Sequence, residues 1–356
     1  MSKLTPVIVR LRPTTLHVAL LTLLLIPAVA RPQPSAPSSI PLVYCTDLFH
    51  PHDDPDDHLD LATVFALPEF DIRAILLDQG DKQVRKPGRI PVEQMLALTG
   101  RRVPYASGLG AKLRTPSDPG LDQPAECQGA VELFLKVLRD SDRPVRVVAV
   151  GSVRDIAAAF NRQPDLLRKK VEALYLVIGH AKLSGKEYNV DLDRQAFRGV
   201  LASKLPIYWF PCFPADNRFS SYWKLPHYSN VLETAPLPLV DFFLYMLHRI
   251  DPADIDPLTA LRMDFRPWRR YFWEQPKEMW STAAILLAAG RTKDAGLYHF
   301  EPALTDIDEQ GRTNRLTYNA AEANVRAFVL EDVPQYGAAM TAALRDLFHD
   351  FPVRLK

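Results

Sequence analysis

The sequence predicts an α/β protein built on an open, mostly parallel β-sheet with helices on both faces. Two observations predict it. The runs Val145–Val150, broken only by Arg146, and Ala173–Ile178 are apolar and carry β-branched residues, as strands buried on both sides must. Such runs alternate with segments of helical spacing, the pattern of successive βα units.

Taken in order, Ile40–Thr46 reads as the first strand, and Asp57–Leu67 as a helix burying Leu59, Ala62, Val64 and Phe65. Phe70–Leu77 is a second strand, Pro91–Leu98 a helix, and Val103–Ala106 a short strand. A helix over 124–139 precedes the strand 145–150, and a helix over 156–160 precedes the strand 173–178. The helix Arg194–Ser203 leads into the strand Pro206–Phe210. After Cys212 the pattern changes: Phe219–Trp223 and Trp268–Trp273 are aromatic, Pro-punctuated and loop-like, with helices expected at 239–249, 283–289 and 336–348. No internal repeat or second core separated by a linker is visible, so one domain is expected from 40 to 356.

The N-terminus has the form of a leader. Lys3, Arg10 and Arg12 precede the apolar run His17–Ala30, which ends in Ala28-Val29-Ala30, a small-x-small cleavage pattern. The run is short for a membrane span. Residues 1–30 are therefore expected to be a signal peptide and 31–39 a Pro/Ser-rich tether, which makes the protein exported, periplasmic or secreted, with no membrane attachment after cleavage. Losing Lys3, Arg10 and Arg12 leaves 40 basic against 42 acidic residues. With no clustered basic face, the composition excludes a nucleic-acid or membrane-surface binder. Cys45, Cys127 and Cys212 allow at most one internal disulfide, which excludes a disulfide scaffold.

Ligands of open parallel sheets bind beyond the carboxyl ends of the strands. There the first strand delivers Asp47, Asp53, Asp54, Asp56, Asp57 and Asp60 within fourteen residues. Capping of the next helix by Asp54 or Asp56 accounts for one or two of these acids, not the set. A hard divalent cation with oxygen ligands would offset their repulsion. His50, His52 and His58 raise zinc as an alternative, but their spacing matches no standard zinc signature.

The order of motifs resembles the inosine/uridine-preferring nucleoside hydrolases. Thr46-Asp47, then Asp56-Asp57 with Leu61-Ala62, is similar to that family's Asp-x-Asp-Pro-Gly-x-Asp-Asp signature. Leu67-Pro68-Glu69 and Leu77-Asp78-Gln79-Gly80-Asp81 follow in place. Val148 to Ala157 resembles the Gly-Pro-Leu-Thr-Asn-Ile-Ala turn, and Val177 to Ala181 the Met-Gly-Gly-Ala segment. Glu187-Tyr188-Asn189-Val190, with Asp193 and Ala196, resembles the Glu-Phe-Asn segment and its sequel. The resemblance covers about residues 40–211.

The resemblance implies a metal-dependent hydrolase of N-glycosidic bonds. Asp47 would contact Ca²⁺ and act as general base, Asp57 would chelate, and the backbone carbonyl near Arg154 would complete part of the shell. Asp56, Glu187, Asn189 and Asp81 would meet the sugar of a nucleoside or related riboside. An oxocarbenium-like sugar is stabilised by neighbouring carboxylates, which suits this set. A homo-oligomer is compatible with the same reading.

Four departures qualify the match. The loop between Asp47 and Asp56 is enlarged, Cys45 replaces an Asp, and Asp81 replaces an Asn. Where the family carries a late His-Asp, this chain has Met279-Trp280-Ser281-Thr282. Trp280 cannot donate a proton as an acid, although it can stack on a base or sugar, and Ser281 is a weaker ligand than a carboxylate. Asp53 and Asp54 are candidates to compensate. These changes open an alternative: an exported, non-catalytic nucleoside- or sugar-binding relative with a metal-stabilised fold.

Overall fold

The computed structural model describes residues 39–181, 187–213, 218–292, 296–309, 312–318, 323 and 325–355. The leader and most of the tether expected from the sequence lie outside them. A compact unit runs from Ser39 to Lys356.

The strands are β1 (Ile40–Thr46), β2 (Phe70–Leu77), β3 (Tyr105–Ser107), β4 (Val145–Ala149), β5 (Val171–Val177), β6 (Ile207–Phe210), β7 (Trp223–Leu225), β8 (Lys277–Met279), β9 (Tyr298–Ile307), β10 (Thr313–Tyr318) and β11 (Val325–Leu330). Nine of them form one sheet in the order β10-β9-β11-β6-β5-β4-β1-β2-β3. From β3 to β11 every neighbour is parallel, and β9 runs antiparallel to both β11 and β10. The open, mostly parallel sheet expected from the sequence is present.

Both faces are covered. Leu42 and Tyr44 of β1 belong to a core shared with α1 (Asp56–Ala66), α2 (Arg89–Thr99), α6 (Leu237–Leu247), α7 (Thr282–Ala288) and α8 (Val333–His349). Val43 and Cys45 belong to the opposite core, with α3 (Gly129–Asp140), α4 (Arg154–Arg162) and α5 (Arg194–Ala202). Successive residues of β1 thus point to opposite layers. Each fully buried Leu, Val or Phe contributes about 1.5–3 kcal/mol, and both layers are dense in such residues.

The sequence-based boundaries differ from the structure in three places. The helix expected over 124–139 begins at Gly129, after a tight turn at Ala125–Cys127. The aromatic stretch after Cys212 contains a two-stranded antiparallel ribbon, β7 with β8. The strands β9, β10 and β11 had no expectation at all. All three cysteines are free. Among the described residues no helix is long and apolar enough to cross a membrane.

Candidate active site

The carboxyl ends of β1, β4, β5 and β6 open into a cavity of about 200 Å³. Asp47, just beyond β1, lines it together with Asp54, Asp56 and Asp57. Val150, Val177, Cys212 and Phe213 follow the other strand ends, and Glu187, Tyr188, Asn189, Trp280 and Ser281 complete the wall.

The acids reach the cavity for two reasons. Asp47 leaves the sheet at the end of a buried strand, and Asp56 and Asp57 open the first turn of α1, where the helix dipole favours negative charge. Pro55 occupies the cap position and no side chain caps the helix, although the Asp56 N–H donates to Asp54 Oδ1 at 3.3 Å. Capping therefore does not account for Asp56 or Asp57.

Burial and mutual repulsion make these carboxyls hard to ionise. Asp47 is pushed up to about 8, by burial first and then by Asp78. Asp57 is raised well above the usual carboxylate range by burial, and the next largest influences on it are all carboxylates: Asp47, Asp56, Asp60 and Asp54. Asp56 is raised as well, mainly by burial, with Lys277 acting against the rise. Such a set gains from a proton or a cation.

One cation is already built in. Lys277, in β8 and 8% exposed, pairs with Asp54 at 2.5 Å. Sequence reasoning missed it, because it lies more than two hundred positions from the acidic loop. Asp60 is the second residue whose place was missed. It is fully buried one turn into α1 and accepts hydrogen bonds from the hydroxyls of Ser281 and Thr282. Burial pushes it up to about 7, against the pull of those two hydroxyls.

The candidates for compensating carboxylate separate clearly. Asp54 lines the cavity. Asp53 points elsewhere, to Lys82 and, at 2.5 Å, to Lys86. Lys82 also lies over the Phe49 ring at 4.2 Å, so the enlarged loop is fastened to the helical segment after β2.

Glu187 and Asn189 are rigidly held. Glu187 caps the short helix Tyr188–Leu192, accepting from the N–H groups of Asn189 and Val190, and also from Gly179 at 2.8 Å. Burial still raises it above the usual range. The Asn189 amide donates to the carbonyls of Val150 (3.2 Å) and Val177 (3.1 Å), joining two strand ends. Its amide oxygen remains available as an acceptor.

Besides Asp53, two expected site residues sit outside this cavity. Asp81 is exposed and its carboxylate packs against Gly110. Arg154 lines a neighbouring small recess beside Asp78, and its guanidinium pairs with Asp193 at 2.9 Å. It also donates to the carbonyls of Leu109, Gly110 and Leu192.

The histidines lie behind the loop. His50 stacks on Tyr245 with centroids 5.1 Å apart, and its ring nitrogen meets the Ile250 carbonyl at 2.8 Å. His58 is fully buried with neither ring nitrogen partnered. Among the described residues no group of three or more His, Cys, Asp or Glu side chains is gathered as a metal shell. This holds for zinc and for a hard cation alike.

On the remaining wall Trp280 packs against Phe213 and Tyr222, at centroid distances of 4.9 and 4.7 Å. It is an aromatic surface suited to a flat ring.

A family profile described as inosine-uridine preferring nucleoside hydrolase matches residues 51–261. The chain belongs to this family. The pyrimidine-specific ribonucleoside hydrolase RihA of Citrobacter koseri is 31% identical over 231 residues, 58% of this chain and 72% of the relative. RihA of Enterobacter sp. is 29% identical over 189 residues, 48% of this chain and only 58% of the relative. The plant nucleoside hydrolase PpNRh1 shares the fold at a TM-score of 0.57 and 15% identity, over 86% of this chain and 99% of its own. The type III effector XopQ, complexed with adenosine diphosphate ribose, aligns at a TM-score of 0.55 and 14% identity, over 87% and 94%. The matched span of this nucleoside hydrolase-like chain ends at residue 261, before Met279–Thr282.

Proposed function

We propose that the protein hydrolyses the N-glycosidic bond of a nucleoside or related riboside. The observation that carries this reading is the convergence of Asp47, Asp56, Asp57, Glu187 and Asn189 on one cavity, in a chain of this family. Family membership favours it over the non-catalytic binding alternative.

The donor set suits a hard cation in charge and atom type, since the carboxyls of Asp47 and Asp57 are buried and repel one another. Calcium held there would supply the positive charge that neutralises these acids and acidifies a nearby water. With that cation bound, the Asp47 carboxylate would take a proton from the water as the water oxygen bonds to the anomeric carbon. The C–N electron pair leaves with the base, which is protonated from solvent. Asp56 and Glu187 accept from sugar hydroxyls, and the Asn189 amide oxygen does the same while its nitrogen stays fixed by two strand ends. Negative charge around the sugar stabilises the developing oxocarbenium character. Trp280, backed by Phe213, stacks on one face of the leaving base and excludes water from that side. The leader-like N-terminus supports action outside the cytoplasm.

The test is release of free base from a panel of pyrimidine and purine nucleosides and ADP-ribose, with and without Ca²⁺. Turnover is expected with at least one of them and is lost in Asp47→Ala with the fold intact. No release from any member at high enzyme, or full activity in Asp47→Ala, overturns the proposal.

A further inference from the structure

Lys277 is the strongest feature that the proposed reaction leaves unused. A lysine stem can usually carry its ammonium to water, yet here the side chain is 9% exposed and the charge ends on Asp54 at 2.5 Å. The same Asp54 oxygen accepts from the Asp56 N–H at 3.3 Å, so the ion pair is tied to the first turn of α1. Strand β8 fixes its backbone, through pairing of Lys277 with Leu225 of β7. Four residues on, Ser281 and Thr282 bind Asp60. One short segment therefore meets the acidic turn of α1 with an ammonium at one end and two hydroxyls at the other.

We propose that Lys277 is a tethered counter-ion of the acidic cavity, holding Asp54 at the first turn of α1 without metal and weakening the cavity's affinity for a divalent cation. The second half rests on the reading that a cation binds at Asp47 and Asp57. The physics is direct. A fixed positive charge close to a cation site repels the incoming ion and lowers the negative potential that attracts it. The same charge relieves the repulsion among the acids, so the cavity does not need metal to keep its shape. Lys277 is a positioning residue, since it does not line the cavity itself.

The experiment compares the full chain with Lys277→Gln, which keeps a hydrogen-bond donor but loses the charge, and with Lys277→Arg, which keeps the charge. Ca²⁺ affinity is measured by titration calorimetry on chelator-treated protein, and Tm is measured in EDTA and in saturating Ca²⁺. Lys277→Gln is expected to bind Ca²⁺ at least about tenfold tighter. Its Tm in EDTA falls below that of the unaltered chain, and Ca²⁺ closes the gap. Lys277→Arg stays close to the unaltered chain in both measurements. Affinities within about threefold of one another overturn the proposal. If the Gln variant does not fold, Lys277→Met takes its place under the same criteria. If neither the unaltered chain nor the neutral variant takes Ca²⁺, the metal reading has failed. The counter-ion role is then decided by Tm in EDTA: a drop rescued by Arg supports it, and equal values overturn it.

Discussion

The Ser281 hydroxyl donates to the carboxylate of Asp60, joining the segment after β8 to the second turn of α1 across 221 positions of sequence. Thr282 binds the other carboxylate oxygen. Ser281 is thus committed to a buried acid.

Removing that donor has a stability cost. Ser281→Ala leaves one oxygen of a fully buried carboxyl without its partner, and such a loss costs about 1–3 kcal/mol. Urea unfolding should show this as a lower midpoint with an unchanged slope. An unchanged midpoint would show that the contact contributes nothing.

Trp280 is expected to bind rather than to transfer protons. Stacking of an aromatic pair is worth about 0.5–1.5 kcal/mol beyond area, so Trp280→Ala should raise KM about two- to tenfold. Trp280→Phe should recover most of that loss. A fall in kcat with KM unmoved, in steady-state kinetics on the best nucleoside, contradicts a stacking role.

Arg154 is expected to hold structure through its fork of donors. Its guanidinium serves Asp193 and three backbone carbonyls at 2.8–3.0 Å. A lysine ammonium is a compact point charge that cannot span this set. Arg154→Lys should cost about 1–3 kcal/mol for the carbonyls left without donors, measured by chemical denaturation. A variant as stable as the parent rules this account out.

Asp241 supplies a pH test remote from the cavity. It lies buried in α6, accepting from the Phe265 N–H at 2.9 Å with one oxygen unpartnered. Burial pushes it up from 3.8 to about 6. The folded state therefore holds the proton more tightly than the unfolded chain. Its contribution to stability is full below about pH 4 and is lost as pH rises through about 6. Asp241→Asn removes this dependence, so its Tm should gain on the parent between pH 4 and 7. A constant difference across that range refutes the assignment.

The parallel part of the sheet was legible because β4 and β5 are apolar apart from Arg146 and Glu172 near their starts, as a doubly covered strand requires. β9 gave no such signal: it carries His299, Glu301 and Pro302 and runs antiparallel beside the sheet's end. The β7–β8 ribbon has three residues per strand, too few for a period to register. In the site, Asp47, Asp56, Asp57, Glu187 and Asn189 follow strand or helix ends and stand in motif order. Lys277 carries no local pattern, and only the folded chain brings it to Asp54. Asp60 was visible as one acid among several, but its hydroxyl partners lie in a distant segment.

The fastening of the enlarged loop differs from the rest of the site in one respect. Asp53 is held by Lys82 and Lys86 at the surface, with its side chain 33% exposed. Attraction between exposed charges fades as dissolved ions crowd round them. Asp54, the next residue, stands on the cavity wall and is anchored from within. Its carboxylate is itself 47% exposed, although the Lys277 beneath it is buried. Both fastenings of the loop therefore weaken as the salinity of the surroundings rises, the Lys277 pair the less because its cation is shielded.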